Sequence, residues 1–188
     1  LNSMHLLGRK EELHLYAPAM LHEIIQLQLD VSQTPLQYPL CFHPLCMDQY
    51  ALVLEQDRLT VHSFPLKHSI PACGFVFREI NPPRKVIAPR SYAYCSDTGY
   101  TESVIPFIQE VGLLYHEATF MQDLAAVAAN KLHSTAMEAA TIASRARVKK
   151  LLIGHFSARY DDIGPLLAEA RSVFAESYPA EEGIAIHI

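Results

Sequence analysis

The sequence predicts an α/β fold in which helices cover a sheet, and three observations carry that prediction. From Val111 onward, short apolar runs alternate with helical patterns in the order βαβα. Earlier in the chain, apolar and β-branched residues at 50–55 and 58–64 flank Gln56-Asp57 as in a hairpin. Between Tyr94 and Tyr160, four polar islands sit at the ends of apolar segments. That is where side chains stand at the carboxyl ends of strands in an α/β layer, facing a crevice from a rigid backbone.

In chain order, Leu1 to Leu7 reads as the interior of an element and not as a natural start, with no initiator Met before it. Leu13-His14-Leu15-Tyr16-Ala17 alternates like a strand, and Pro18 suits the first turn of a helix carrying Met20, Leu21, Ile24, Ile25 and Leu27. Residues 30–48, with Pro35, Pro39 and Pro44, read as irregular. After the hairpin, 73–79 and 91–95 read as strands, with His68 in the linker before the first and Asp97 just after the second. Residues 101–110 read as a helix despite Pro106. A strand at 111–115 is followed by helices at 122–132 and from Thr135 to about Val148; Thr135 and Glu138 have capping-box spacing. Strand 150–154 then leads to a helix from Asp162, with Pro165 in its first turn.

A chain of 188 residues can bury one sizeable core. Net charge is −5, so no basic bulk marks a nucleic-acid binder; positive charge is local, at Arg145, Arg147, Lys149 and Lys150, and reads as a phosphate-facing patch or a solvated helix end. The cysteines Cys41, Cys46, Cys73 and Cys95 form no CxxC pair and imply no disulfide framework. No apolar run is long enough for a membrane span and no signal pattern opens the chain, so the expected location is cytoplasmic.

The polar islands hold the candidate chemistry. Asp97 is either a turn carboxylate or a metal ligand, and His68 and His155 are either packed histidines or imidazole ligands; together they form a partial coordination set suited to zinc or manganese. His116 and Glu117 are adjacent, so on a strand only one of them enters the cleft. Glu117 beside His133 would orient an imidazole for proton donation to a leaving oxygen; otherwise each serves a local backbone role. Arg159 is either a bidentate phosphate contact or the partner of Asp161 or Asp162, and Ser157 is a supporting hydrogen-bonding residue.

Taken together, the islands resemble one family: ribonuclease Z, the tRNA 3′-processing endonucleases of the metallo-β-lactamase superfamily. The resemblance covers nearly the whole chain. It is carried by Leu13 to Pro18, His68 to Phe75, Ser96-Asp97-Thr98, His116-Glu117-Ala118-Thr119, His133-Ser134-Thr135 and His155 to Tyr160. It implies a metallo-β-lactamase-like αββα sandwich, of which residues 1–188 are most of the C-terminal part. It also implies two zinc ions per subunit, with His68 and His155 as ligands and Asp97 bridging. Glu117 and His133 would be the proton-transfer pair, with Ser157 and Arg159 supporting phosphate and metal. The implied partner is precursor tRNA, cut just 3′ of the discriminator nucleotide to leave a tRNA 3′-hydroxyl and a trailer 5′-phosphate, by a homodimer.

Two departures from the family pattern shape the expectation. The motif His-x-His-x-Asp-His is absent from this sequence; it normally precedes a segment such as Leu1 to Met4. Many members also carry a long tRNA-gripping arm between positions matching Glu79 and Ser91, so 80–90 is the expected site of a missing or truncated arm. The alternative readings are a related metallo-hydrolase of small phosphodiesters and an inactive tRNA-binding subunit.

Overall fold

The computed structural model describes residues 1–80, 82 and 89–188, and the chain divides into two compact units, Leu1–Cys46 and Met47–Ile188. The expected arm site at 80–90 therefore falls largely outside the described residues. No helix among the described residues is long and apolar enough to cross a membrane.

The first unit contains α1 (Asn2–Leu6), β1 (Leu13–Ala17), α2 (Ala19–Val31) and β2 (Leu40–Pro44). Pro18 caps α2 with φ −54°, a value the pyrrolidine ring imposes. Strand β2 corrects the expectation of irregular chain at 30–48. It pairs parallel to β1, with Leu13 opposite Leu40 and Ala17 opposite Pro44. Prolines at 39 and 44 hid it from pattern reading, yet Pro44 is the last residue of the strand, where the loss of a donor costs least.

The second unit is built on one sheet of β3 (Ala51–Gln56), β4 (Leu59–Pro65), β5 (Cys73–Glu79), β6 (Ser91–Cys95), β7 (Leu113–Glu117), β8 (Leu151–Gly154) and β9 (Ser177–Pro179). The strands lie in sequence order, antiparallel from β3 to β6 and parallel from β6 to β9. Helices α3 (Ile105–Ile108), α4 (Ala125–Lys131), α5 (Ala136–Arg145) and α6 (Gly164–Val173) complete the unit. The predicted capping box at the start of α5 is present: Thr135 accepts from the Glu138 amide, and the Glu138 carboxylate accepts from the Thr135 amide. Pro165 stands in the first turn of α6 as expected.

Phe64, Val76, Ala93, Leu114, Leu151 and Ile153 from the sheet pack with Ala139, Ile142, Ala143, Leu166 and Ala170 from α5 and α6. Each fully buried large aliphatic side chain contributes about 1.5–3 kcal/mol. Small alanines on α5 are what allow it to lie close to the sheet.

Several boundaries differ from expectation; the helix expected at 101–110, for example, is a single 3-10 turn at Glu102–Val104 followed by α3. The strand expected at 111–115 is Leu113–Glu117, because parallel pairing with β6 and β8 draws in His116 and Glu117 opposite Cys95, Ile153 and Gly154. Tertiary pairing overrides the polarity of those two residues. The short edge strand β9, ending on Pro179, was not expected.

Candidate metal and proton-transfer site

The parallel strands aim their carboxyl ends at one place. Asp97 follows β6, Glu117 ends β7, and His155 follows β8, while His133 enters from the turn between α4 and α5. His155 has φ +58°, in the left-handed region that non-glycine residues rarely occupy. Backbone strain of this kind persists where surrounding contacts hold it, and it clusters at functional sites. The loops are laced together: the Lys67 amide donates to Thr98 Oγ1, Gly99 donates to the Lys67 carbonyl, and Ser134 Oγ donates to the Thr98 carbonyl. The Ser157 amide donates to the Thr119 carbonyl.

Glu117 is the hub. Its side chain is fully buried and its two oxygens accept four hydrogen bonds. Oε1 accepts from the Thr98 amide at 3.0 Å and lies 2.7 Å from His133 Nδ1; Oε2 accepts from the Thr119 amide at 3.0 Å and from Thr119 Oγ1 at 2.7 Å. Each of the two oxygens thus meets two hydrogen-bonding partners. The alternation of β7 sends the neighbouring His116 elsewhere. It is buried, its Nδ1 lies 2.7 Å from the Glu117 carbonyl, and burial pushes its imidazole below the ordinary histidine range.

The hydrogen bonding sorts the imidazole nitrogens. Thr119 Oγ1 gives its proton to Glu117, so at 2.9 Å it accepts from His155 Nδ1, and His155 Nε2 keeps its lone pair. His68 Nδ1 donates to the Leu132 carbonyl at 3.1 Å, which frees its Nε2 in the same way. His133 is held at Nδ1 by Glu117. Three histidines thus have Nδ1 engaged, the arrangement that prepares an imidazole for a metal or for proton transfer.

Asp97, His133 and His155 each offer a ligand atom within 4.8 Å of the others. His155 Nε2 and Asp97 Oδ1 are 3.5 Å apart. That is close to the about 3.3 Å separation of two ligands around a tetrahedral ion with bonds of about 2.0–2.1 Å. The donor set of carboxylate and free imidazole nitrogens fits a divalent cation of the zinc or manganese kind. His68 stands beside this group, its ring centroid 5.4 Å from that of His133, so the tightest trio differs from the predicted His68, Asp97 and His155 by exchanging one histidine.

Arg159 hydrogen-bonds Ser157 Oγ through Nε at 3.1 Å, and its guanidinium carbon lies 5.0 Å from the centre of the Phe120 ring. Among the described residues it forms no ion pair with Asp161 or Asp162; Asp162 instead accepts from the Gly164 amide. Arg159 and Ser157, two residues of one island, are thus in direct contact, a pairing that sequence reasoning did not assign. Thr119 and Thr98 carry more of the site than sequence reasoning assigned them. The available signal was the spacing of Thr119, two residues beyond Glu117 and just past the end of the strand.

Residues 1–156 match the family described as Beta-lactamase superfamily domain. Over 229 aligned positions, the chain is 36% identical to Ribonuclease Z of Parabacteroides distasonis, covering all of this chain and 75% of the relative. It is 37% identical to Ribonuclease Z of Cytophaga hutchinsonii, covering all of this chain and 73% of that one. Both alignments run well beyond the chain's own 188 residues, so each relative carries residues without a counterpart here. Among solved structures, the short form of human tRNase Z aligns with a TM-score of 0.79 at 26% identity, over 99% of this chain and 71% of that one. The metallo-β-lactamase fold protein YhfI of Bacillus subtilis aligns with a TM-score of 0.70 at 22% identity, over 92% and 64%. That likeness speaks for the fold.

Proposed function

Because the chain belongs to the ribonuclease Z family, metal-dependent nucleases of the β-lactamase superfamily, we propose that it cuts the 3′ trailer from precursor tRNA and leaves a tRNA 3′-hydroxyl and a trailer 5′-phosphate. The observation that carries this reading is the coupling of His133 and His155 through the single buried carboxylate of Glu117, by way of Thr119. Such a link places an imidazole for proton transfer beside an imidazole prepared to bind a metal.

His68, Asp97 and His155 would hold zinc, two ions per subunit when the ligand set is complete, with manganese as the substitute. When bound, zinc supplies Lewis-acid stabilisation of phosphoryl oxygens and lowers the pKa of water. Asp97 contributes negative charge that keeps a cation at the strand ends. Glu117 and Thr119 fix the rings of His133 and His155, so neither side chain reorganises as charge develops. His133 passes a proton from Nε2 to the departing ribose oxygen, while Glu117 keeps Nδ1 protonated. Arg159, steadied at Nε by Ser157, offers its two terminal nitrogens to a phosphate. The proposed setting is cytoplasmic, and the proposed assembly is a homodimer in a metallo-β-lactamase sandwich.

The test is cleavage of a precursor tRNA transcript with a 3′ trailer by the purified protein loaded with zinc, with end-mapping of both products. Chelator-sensitive cutting after the discriminator nucleotide supports the reading. Salt-dependent tRNA binding with no cleavage by zinc-loaded protein would reject the nuclease reading in favour of a binding subunit.

A further inference from the structure

The first unit holds a second cluster of ligating groups that shares no residue with the site above. Parallel pairing sets His14 opposite Cys41 and Tyr16 opposite His43. Strand alternation places Glu12, His14 and Tyr16 on the same face, next to Cys41 and His43. Glu12 Oε1 is 3.0 Å from His14 Nε2, and Cys41 Sγ is 3.7 Å from Glu12 Oε2. Ligand atoms from Glu12, His14 and Cys41 all lie within 4.8 Å of one another.

We propose that Glu12, His14 and Cys41 form a site for a divalent transition metal of the zinc type, with His43 orienting His14. One thiolate, one imidazole and one carboxylate are zinc ligands, and three of them leave a fourth position for water. Sulfur in the set disfavours magnesium and calcium, which take oxygen ligands. His43 behaves as the outer partner such sites use. Its Nε2 lies 2.8 Å from His14 Nδ1, and its ring stacks on Tyr16 at 4.5 Å between centroids. Binding exchanges the thiol proton of Cys41 for the metal, and that proton goes to solvent.

A metal would add a cross-link to a unit with little buried core of its own. Within Leu1–Cys46, Ala17 and Tyr38 are the buried hydrophobics among the described residues, and α2 buries none of its side chains. Small units with so little core commonly depend on a metal. A bond from His14 to Cys41 would close the connection that contains α2, removing loop entropy from the unfolded chain.

The experiment loads the full chain with Co2+ and follows the near-ultraviolet thiolate-to-metal absorption, a signature that the nitrogen and oxygen ligands of the other site do not give. The band is expected in the unmodified protein and in Asp97→Ala, and is expected to vanish in Cys41→Ser and weaken at least tenfold in apparent affinity in His14→Asn. Zinc is expected to raise the Tm of Asp97→Ala but not that of Asp97→Ala/His14→Asn. Absence of the band in well-folded wild-type protein, or its persistence in Cys41→Ser, overturns the proposal.

Discussion

Glu117 Oε1 lies 2.7 Å from His133 Nδ1, while the other oxygen of the same carboxylate accepts from Thr119, whose hydroxyl in turn lies 2.9 Å from His155 Nδ1. A single buried charge therefore sets the orientation of two histidines that arrive from different loops. The first consequence concerns the charge itself. A glutamine has the same shape but turns an amide NH2 toward one of the two donor pairs, facing either His133 and Thr98 or Thr119.

Glu117→Gln is accordingly expected to destabilise the fold by about 1–3 kcal/mol, the cost of buried donors left without an acceptor. If the amide settles toward Thr119, the hydroxyl's proton turns toward His155 Nδ1 and the free lone pair of Nε2 is lost. Zinc affinity should then fall about 10–100-fold, the range for loss of a supporting partner of a ligand. Urea denaturation and metal titration read the two effects separately. Unchanged zinc affinity together with unchanged turnover would remove Glu117 from the positioning role.

Asp97→Ala and His133→Ala distinguish a metal ligand from a proton donor. Asp97→Ala should lose both metal content and chelator-sensitive turnover. His133→Ala should retain metal yet cleave about 10²–10⁴-fold more slowly, as expected for loss of a general acid. Metal analysis after gel filtration provides the discriminating value. A metal loss in His133→Ala equal to that in Asp97→Ala would make His133 a ligand, which the 4.8 Å grouping of its donor atoms with Asp97 and His155 also permits.

The sequence made much of the second unit legible because its elements are bounded by clear punctuation: Gln56-Asp57 between β3 and β4, and the Thr135 to Glu138 cap before α5. It was less informative where proline was read as a breaker, since Pro44 ends a real strand. The end of β7 was shifted because parallel hydrogen bonding, not hydrophobicity, carries the chain through His116 and Glu117. Asp97, His133 and His155 could be named from their islands. Asp97 and His155 could also be placed in one set, but the bracing of the rings could not be read, because it depends on Thr119 and on a left-handed backbone at His155 that a one-dimensional pattern does not encode.

His116 gives a pH dependence with a definite sign. Burial lowers its pKa in the fold, only partly offset by the hydrogen bond to the Glu117 carbonyl and the nearby Glu117 charge. The unfolded chain, with a histidine pKa of about 6.5, therefore takes up a proton before the folded chain does. Its contribution to stability is complete above that value and declines as pH falls through it toward the lower folded pKa. Relative to wild type, His116→Asn should flatten the loss of urea stability between about pH 7 and 5. Parallel pH profiles for the two proteins would mean that His116 protonates without opening the fold.

Arg159 tests how phosphate is met. Its Nε is committed to Ser157 at 3.1 Å and its guanidinium lies over Phe120, so the planar fork is held in place before any ligand arrives. Lysine keeps the charge but has neither the fork nor the flat surface that stacks on an aromatic ring. Arg159→Lys should consequently weaken precursor tRNA turnover about tenfold or more, corresponding to the loss of one charge-assisted hydrogen bond worth about 1.5–3 kcal/mol. Thermal stability should change little, because the side chain is exposed and exposed charges contribute little to folding. Ser157→Ala should shift kcat/KM in the same direction by a smaller factor, since it frees Nε without removing the guanidinium. A rate unaffected by Arg159→Lys, with tRNA affinity also unaffected, would leave Arg159 as a surface residue packed on Phe120 and would move the phosphate contact elsewhere in the site.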